Sequence, residues 1–211
     1  HTAPNPYPAG GGPYWCTFII PAAWHTYINY GDRRLIDRYY PNMQKWIEYA
    51  EAHSVDGILK DWGETDYRSW YLGDWAVPHE TIDQQDPRSI DLVSNCVLSD
   101  AYATMAKIAA VLGKDDEVQK HQKRHEEHNA LLHKTYFNEK DNSYASCSQT
   151  DLIYPMLVGA TPESKIADVE STLFDITNER HNGLFCTGLV GIPVITQWAT
   201  REDKADFIYS I

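Results

Sequence analysis

Hydrophobic positions along the 211 residues recur with helical spacing in most segments. From Trp15 to Tyr30 the run is apolar on most sides and closes at Gly31. That predicts a buried helix with a left-handed glycine past its end, and Pro21 predicts a kink or a late start. Asp32 is placed to cap a short helix over 32–40, and Pro41 to open a longer one. In the longer one Met43, Trp46, Ile47 and Ala50 form a one-sided stripe. Residues 54–89 break the pattern, with Gly, Pro, Trp and acids mixed. Irregular stretches of this length inside a domain usually carry function. Helical period returns from about Ser89 to Leu112 through Leu98, Ala101, Tyr102, Met105 and Ile108, and Gly113 ends it. Asp115 opens a helix that runs to about Phe137, followed by a polar loop over 138–146. A helix over 149–158 stops at Gly159, and Thr161-Pro162 opens another. Asn182-Gly183 marks a turn. Residues 187–200 read as helix, and one more begins near Glu202. About eight helices, joined by turns and longer loops with no period-2 segment, predict an all-α fold of antiparallel helical hairpins.

Composition narrows the function classes. Hydrophobic residues make up 43% and charged residues 23%, enough to bury a core. The formal net charge of −12 argues against nucleic acid or an anionic membrane surface as a partner, since both need clustered Lys and Arg. No apolar run approaches the length of a membrane span. The start, His1-Thr2-Ala3-Pro4, lacks a Met, a basic region and an apolar core, so the chain reads as a processed product or an excised piece. Cys16, Cys96, Cys147 and Cys186 form no C-x-x-C pair, which predicts free thiols and no zinc ribbon. Of 26 aromatics, 21 are Tyr or Trp. Such side chains join a flat apolar face to a polar edge, as sugar rings do.

The chemical motifs are few. His121, His125 and His128 share one helical face, but no Glu follows the first His as a zincin requires. Lys120, Lys123 and Arg124 sit alongside, so the stripe reads as a solvated outer face and no metal is expected. Neither a G-x-S-x-G elbow nor a phosphate loop occurs, and no cofactor is implied. The strongest local signal is an acid-rich stretch. Asp61, Glu64, Asp66 and Asp74 are interleaved with Trp62, Tyr67, Trp70, Tyr71 and Trp75. Glycoside hydrolysis needs two carboxylates flanking a sugar and a surface to hold the ring, and an indole beside an acid raises its pKa by desolvation. On this chemistry Trp62 is a candidate sugar-binding residue.

Several segments, taken in order, resemble the catalytic domain of bacterial α-L-rhamnosidases, glycoside hydrolase family 78. They are Pro13-Tyr14-Trp15, Tyr30-Gly31-Asp32, Tyr40-Pro41-Asn42-Met43 with Trp46, and Asp56-Gly57-Ile58-Leu59. Then come Gly73-Asp74-Trp75, Ala110-Val111-Leu112-Gly113-Lys114, Ser148-Gln149-Thr150, and His181-Asn182-Gly183 with Thr187-Gly188-Leu189-Val190-Gly191. Together they span nearly the whole chain.

The resemblance implies that residues 1–211 form part of an (α/α)6 barrel, about eight of its twelve helices, in a glycoside hydrolase catalytic domain. The implied activity is inverting removal of terminal α-L-rhamnosyl residues from a rhamnose-containing glycan or glycoside, using a Glu acid and a Glu base. The family's acid segment, ending W-x-G-D, and its base segment, resembling G-A-T-x-x-W-E, have no counterpart here. The chain alone is therefore expected to be inactive, and Asp61 and Glu64 are the acids to replace first if it is not. What carries over is substrate-side: Trp15, Asp74, Trp75 and His181. Asp74 is expected to accept hydrogen bonds from two sugar hydroxyls, with helix capping or pairing with Arg68 as its structural alternative. Helix faces left without neighbours predict self-association, as a homo-oligomer, or poor solubility. Another (α/α)6 carbohydrate-active enzyme and a non-catalytic carbohydrate-binding module are the alternatives.

Overall fold

The computed structural model describes residues 12–62, 71–78 and 85–209. The chain begins with α1 (Pro13–Cys16), α2 (Ile19–Tyr30) and α3 (Arg34–Ala52), then a ribbon of β1 (Ser54–Val55) and β2 (Ile58–Leu59). Next come α4 (Pro87–Val111) and α5 (Asp115–Tyr136), then a second ribbon of β3 (Phe137–Asn138) and β4 (Ser143–Tyr144). Finally come α6 (Gln149–Val158), α7 (Glu163–Asp175), a π-helical turn over Ile176–Arg180, α8 (Gly191–Arg201) and α9 (Ala205–Tyr209). The two antiparallel ribbons are the only sheets among the described residues, so the molecule is all-α as the periodicity predicts. Two compact units divide it, His1–Tyr71 with Val97–His128, and Leu72–Cys96 with Asn129–Ile211. Most of the acid-rich stretch, with Glu64, Asp66, Tyr67, Arg68 and Trp70, lies outside the described residues.

In the first unit α2 packs on α3. The late start holds, because α2 begins at Ile19 and Pro21 falls in its first turn. Gly31 ends it at φ 68°, accepting the left-handed conformation that costs other residues a steric clash. The expected break at Pro41 does not occur. α3 is one helix of 19 residues with Pro41 inside. Ile36, Tyr40, Met43, Ile47 and Ala50 are buried along a single face that crosses the proline, and that shared burial outweighs one lost backbone bond. Asp32 does not cap a helix by the usual N-cap geometry. It accepts from the Arg34 amide and guanidinium, and these bonds hold its carboxyl down at about 2. In the first ribbon Asp56 and Gly57 both have positive φ, as a two-residue turn between twisted strands requires.

In the second unit α6 packs against α7 and α8, and α8 against α9. Ser148 and Asp151 form a reciprocal capping box at the start of α6, and Gly159 closes it at φ 79°. Asn129 Nδ2 donates to the Val158 carbonyl at 2.8 Å, and Arg201 donates to those of Leu157 and Met156. Residues 187–190, read as helix from their periodicity, lie before α8. The Gly188 and Val190 amides are drawn off to a side chain described below.

The histidine stripe is an inner face. His121 and His128 are buried, His128 meets the Tyr102 ring edge-on at 5.8 Å, and His125 Nδ1 is 3.0 Å from Ser99 Oγ. The stripe continues in register through the buried Leu132 and Tyr136, and that register marked the side as inward. Both nitrogens of His121 are buried without a hydrogen-bond partner among the described residues, and only 1% of the residue is exposed. Burial pulls its pKa down from 6.5 to about 4, against the opposing pull of the Glu117 carboxylate 3.5 Å away. The folded protein therefore holds His121 neutral where an unfolded chain would protonate it. Stability is unaffected above about pH 6.5 and falls as pH drops toward 4, by on the order of 3 kcal/mol in all. Thermal unfolding between pH 7 and 4 should show that loss, and His121→Leu should flatten it over that window.

Candidate functional site

The second unit ties three distant stretches around one carboxylate. Gly73 has φ 59°, and a Cβ there would lie 2.8 Å from the Ile90 Cα, so only glycine lets the chain turn so close to α4. The turn delivers Asp74 inward, only 6% exposed. Its Oδ2 accepts from Thr150 Oγ1 at 2.5 Å and from the Gly188 amide at 2.9 Å. Its Oδ1 accepts from the Val190 and Gly191 amides at 3.0 and 2.8 Å. Those two amides stand at the N-terminus of α8, where helical N–H groups lack partners within the helix and negative charge is favoured. Asp74 is thus a cap supplied from 116 residues away along the chain.

This geometry corrects the role expected of Asp74. A carboxylate offers about four lone-pair sites, and protein donors occupy four. The oxygens that sugar hydroxyls would need are already taken. Of the alternatives, the capping one describes it.

Neighbouring bonds extend the clamp. The Leu189 amide donates to the Trp75 carbonyl at 2.7 Å, and Gln85 Nε2 donates to the Asp74 carbonyl at 2.8 Å. Gln149, wholly buried, accepts from the Cys186 amide at 2.7 Å and donates to Thr177 Oγ1 and the Leu184 carbonyl. Asp151, equally buried, accepts from Ser89, Ser146 and Ser148. Burial pushes its pKa up, and the serine donors pull against that. Trp75, about a third exposed at 36%, and Leu189, at 51%, keep surface toward solvent at the edge of this buried polar cluster. Sequence reading found Asp74 and Trp75 but missed Thr150 and Gln149 as clamps. The signals for them were three polar residues, Gln149, Thr150 and Asp151, opening a helix that is otherwise apolar, and the family-like Ser148-Gln149-Thr150 segment.

His181 follows the π-helical turn, a feature that often marks functional positions, and its amide donates to the Ile176 carbonyl. In the first unit Trp15 lies half-buried on α1, edge-on to Tyr14 at 5.4 Å. Trp62 is half-buried and belongs to an aromatic series. It meets His53 at 5.2 Å, Tyr49 at 5.8 Å and Tyr71 at 6.1 Å, and Tyr49 in turn stacks on Trp46 at 5.8 Å. Trp46 Nε1 donates to Thr17 Oγ1, two residues after Trp15. Among the described residues no group of three His, Cys, Asp or Glu side chains is arranged to hold a metal.

Helical hairpins with short ribbons define an all-α glycosidase architecture of six-hairpin type, and solved structures share it. The α-L-rhamnosidase from Dictyoglumus thermophilum superposes with a TM-score of 0.83 at 27% identity, over 95% of this chain and 22% of that one. The Streptomyces avermitilis α-L-rhamnosidase, solved with L-rhamnose, gives 0.75 at 19% identity, over 91% of this chain and 17% of that one. A family model described as the bacterial alpha-L-rhamnosidase 6 hairpin glycosidase domain matches residues 1–211, and the chain belongs to that family. An α-L-rhamnosidase of Formosa agariphila is 26% identical over 208 residues, 93% of this chain and 20% of that protein. The chain spans about a fifth of the length of the curated relatives it matches.

The closeness of the cluster is testable. A Cβ on Gly188 would overlap the Trp75 carbonyl oxygen and lie 2.7 Å from Asp74 Oδ1. One on Gly191 would come within 2.6 Å of Asp74 Oδ2. Gly188→Ala should therefore cost about 3 kcal/mol in thermal or denaturant unfolding. Gly31→Ala, where nothing lies within 4 Å, should cost only about 1 kcal/mol, from its positive φ alone.

Proposed function

We propose that residues 1–211 are the central part of an (α/α)6 catalytic domain that removes terminal α-L-rhamnosyl residues by inverting hydrolysis. The observation that carries this reading is the family match along the whole chain. An inverting enzyme places a carboxylic acid on one side of the glycosidic bond. A carboxylate on the other side activates water, at a separation of roughly 6.5–9.5 Å. In this reading the two glutamates that move protons lie outside residues 1–211, and these residues supply the substrate side. Trp75 and His181, both in the second unit, are the side chains proposed to meet the sugar; Trp15 and Trp62 are proposed carbohydrate contacts of the first unit taken by itself. An indole suits that task, because its face covers the apolar C–H surface of the ring while its N–H remains a donor.

The test uses an aryl α-L-rhamnoside and the full polypeptide to which these residues belong. Hydrolysis releasing first the inverted anomer of rhamnose, seen by proton NMR, is the expected result. The 211-residue chain alone should give no turnover above background, since loss of either proton-transfer group costs orders of magnitude. Binding of rhamnose without hydrolysis by the full polypeptide would overturn the enzymatic reading in favour of a carbohydrate-binding module. Turnover by the short chain would move the catalytic carboxylates inside it, with Asp61 and Glu64 the first to replace.

A further inference from the structure

We propose that Asp74 is a positioning residue for substrate, which holds Trp75 and Leu189 as one apolar recognition face without itself touching the sugar. This rests on the rhamnosidase reading and on Trp75 as a sugar-stacking residue.

The geometry makes the carboxylate the fixed point of that face. The residues on either side of Leu189 are both anchored to it, Gly188 through Oδ2 and Val190 through Oδ1. With its neighbours held inward, Leu189 turns its side chain out. Its own amide then bonds the Trp75 carbonyl, so the two exposed apolar residues are locked to each other through backbone as well as through Asp74. The chain around Trp75 is bent at both ends. Gly73 has φ 59° and Ala76 has φ 63°, a left-handed conformation that costs a residue with a Cβ about 1 kcal/mol or more. Such a conformation persists only where its surroundings over-determine it. Gly188 and Gly191 have no room for even a methyl group against this corner, so the face has little freedom to drift.

A purely stabilising role explains less. Buried charges are weak contributors to net stability, because the desolvation cost offsets most of the attraction. An apolar side chain of similar size would fill the space but leave the four donors unpaired, so the informative replacement is the near-isosteric Asn. What an apolar side chain could not do is bind four donors from two distant stretches at fixed angles, and that is what aligns Trp75 with Leu189. Stacking on a sugar depends on such alignment, since an anchor displaced by about 1 Å loses a large part of its effect.

The test is a double-mutant cycle in the full polypeptide, assayed on an aryl α-L-rhamnoside well below the melting temperature. In Asp74→Asn an amide group replaces one oxygen and faces N–H donors. It should raise KM about tenfold with kcat nearly unchanged, because binding and not proton transfer is disturbed. In a Trp75→Ala background the same change should have little further effect on kcat/KM while still lowering the melting temperature. Hydrogen exchange at the Leu189 amide should quicken in Asp74→Asn. If Asp74→Asn does not fold, Thr150→Val removes one donor to the same carboxylate and should give the same KM effect, smaller. Equal loss of kcat/KM in both Trp75 backgrounds, or a lowered melting temperature with unchanged KM, would overturn the proposal. If the unsubstituted full polypeptide turns over no rhamnoside, the rhamnosidase reading itself fails, an outcome distinct from an active enzyme in which the cycle is additive.

Discussion

A carboxylate removed from water is tolerable only where donors replace the water it has lost, and Asp74 meets four of them. Much of the second unit follows from that requirement. Two donors are the open amides at the start of α8, so the helix begins where the carboxylate is and not where its apolar period begins. One donor is Thr150, so the first turn of α6 must reach the same point. The glycines at 73, 188 and 191 are then consequences, because each lies where backbone or carboxylate leaves no room for a side chain.

The start of α6 carries this further. Ser148, Gln149, Thr150 and Asp151 are consecutive, and each has a different task. Ser148 caps its own helix, and Gln149 holds the Leu184–Cys186 stretch. Thr150 meets Asp74, while Asp151 gathers three serines. A buried polar network of this kind specifies one arrangement strongly, because any rearrangement leaves a group unpaired in low dielectric. Apolar packing alone tolerates slippage that such a network does not.

The fold was legible because burial and helical period agree over long stretches. α4, α5 and α6 stand close to where their stripes and their glycine ends put them. Legibility failed where a local rule met a distant partner. Pro41 reads as a helix start, yet the stripe is buried on both sides of it and the helix runs through. The histidines read as solvated from the lysines beside them, but a helix has two sides, and the side shared with Leu132 and Tyr136 faces inward. Residues 187–190 have helical apolar spacing, and nothing local shows that a carboxylate 114 residues away takes the Gly188 amide. For Asp74 the sequence supplied the residue and its glycine, and the resemblance supplied a sugar-side neighbourhood. Whether the acid turns toward solvent or toward α8 is set by donors contributed from Thr150 and residues 188–191, which no local pattern reveals.

The clamps also bear on why aromatic side chains suit the substrate side of such a domain. A sugar presents many hydroxyls of similar strength, and water competes for every one of them, so hydrogen bonds alone discriminate poorly unless the donors and acceptors are held still. A flat indole contributes contact area at the cost of only two side-chain torsions, which makes its backbone position the main variable left to control. In this protein the backbone at Trp75 is held at several points. Its carbonyl is bonded, the residue before it is buried and caps α8, and the residues at either end of the corner are turned left-handed. In the proposed reading the buried polar atoms behind the indole fix its position and the ring in front meets the sugar, and the short backbone between Asp74 and Trp75 joins the two.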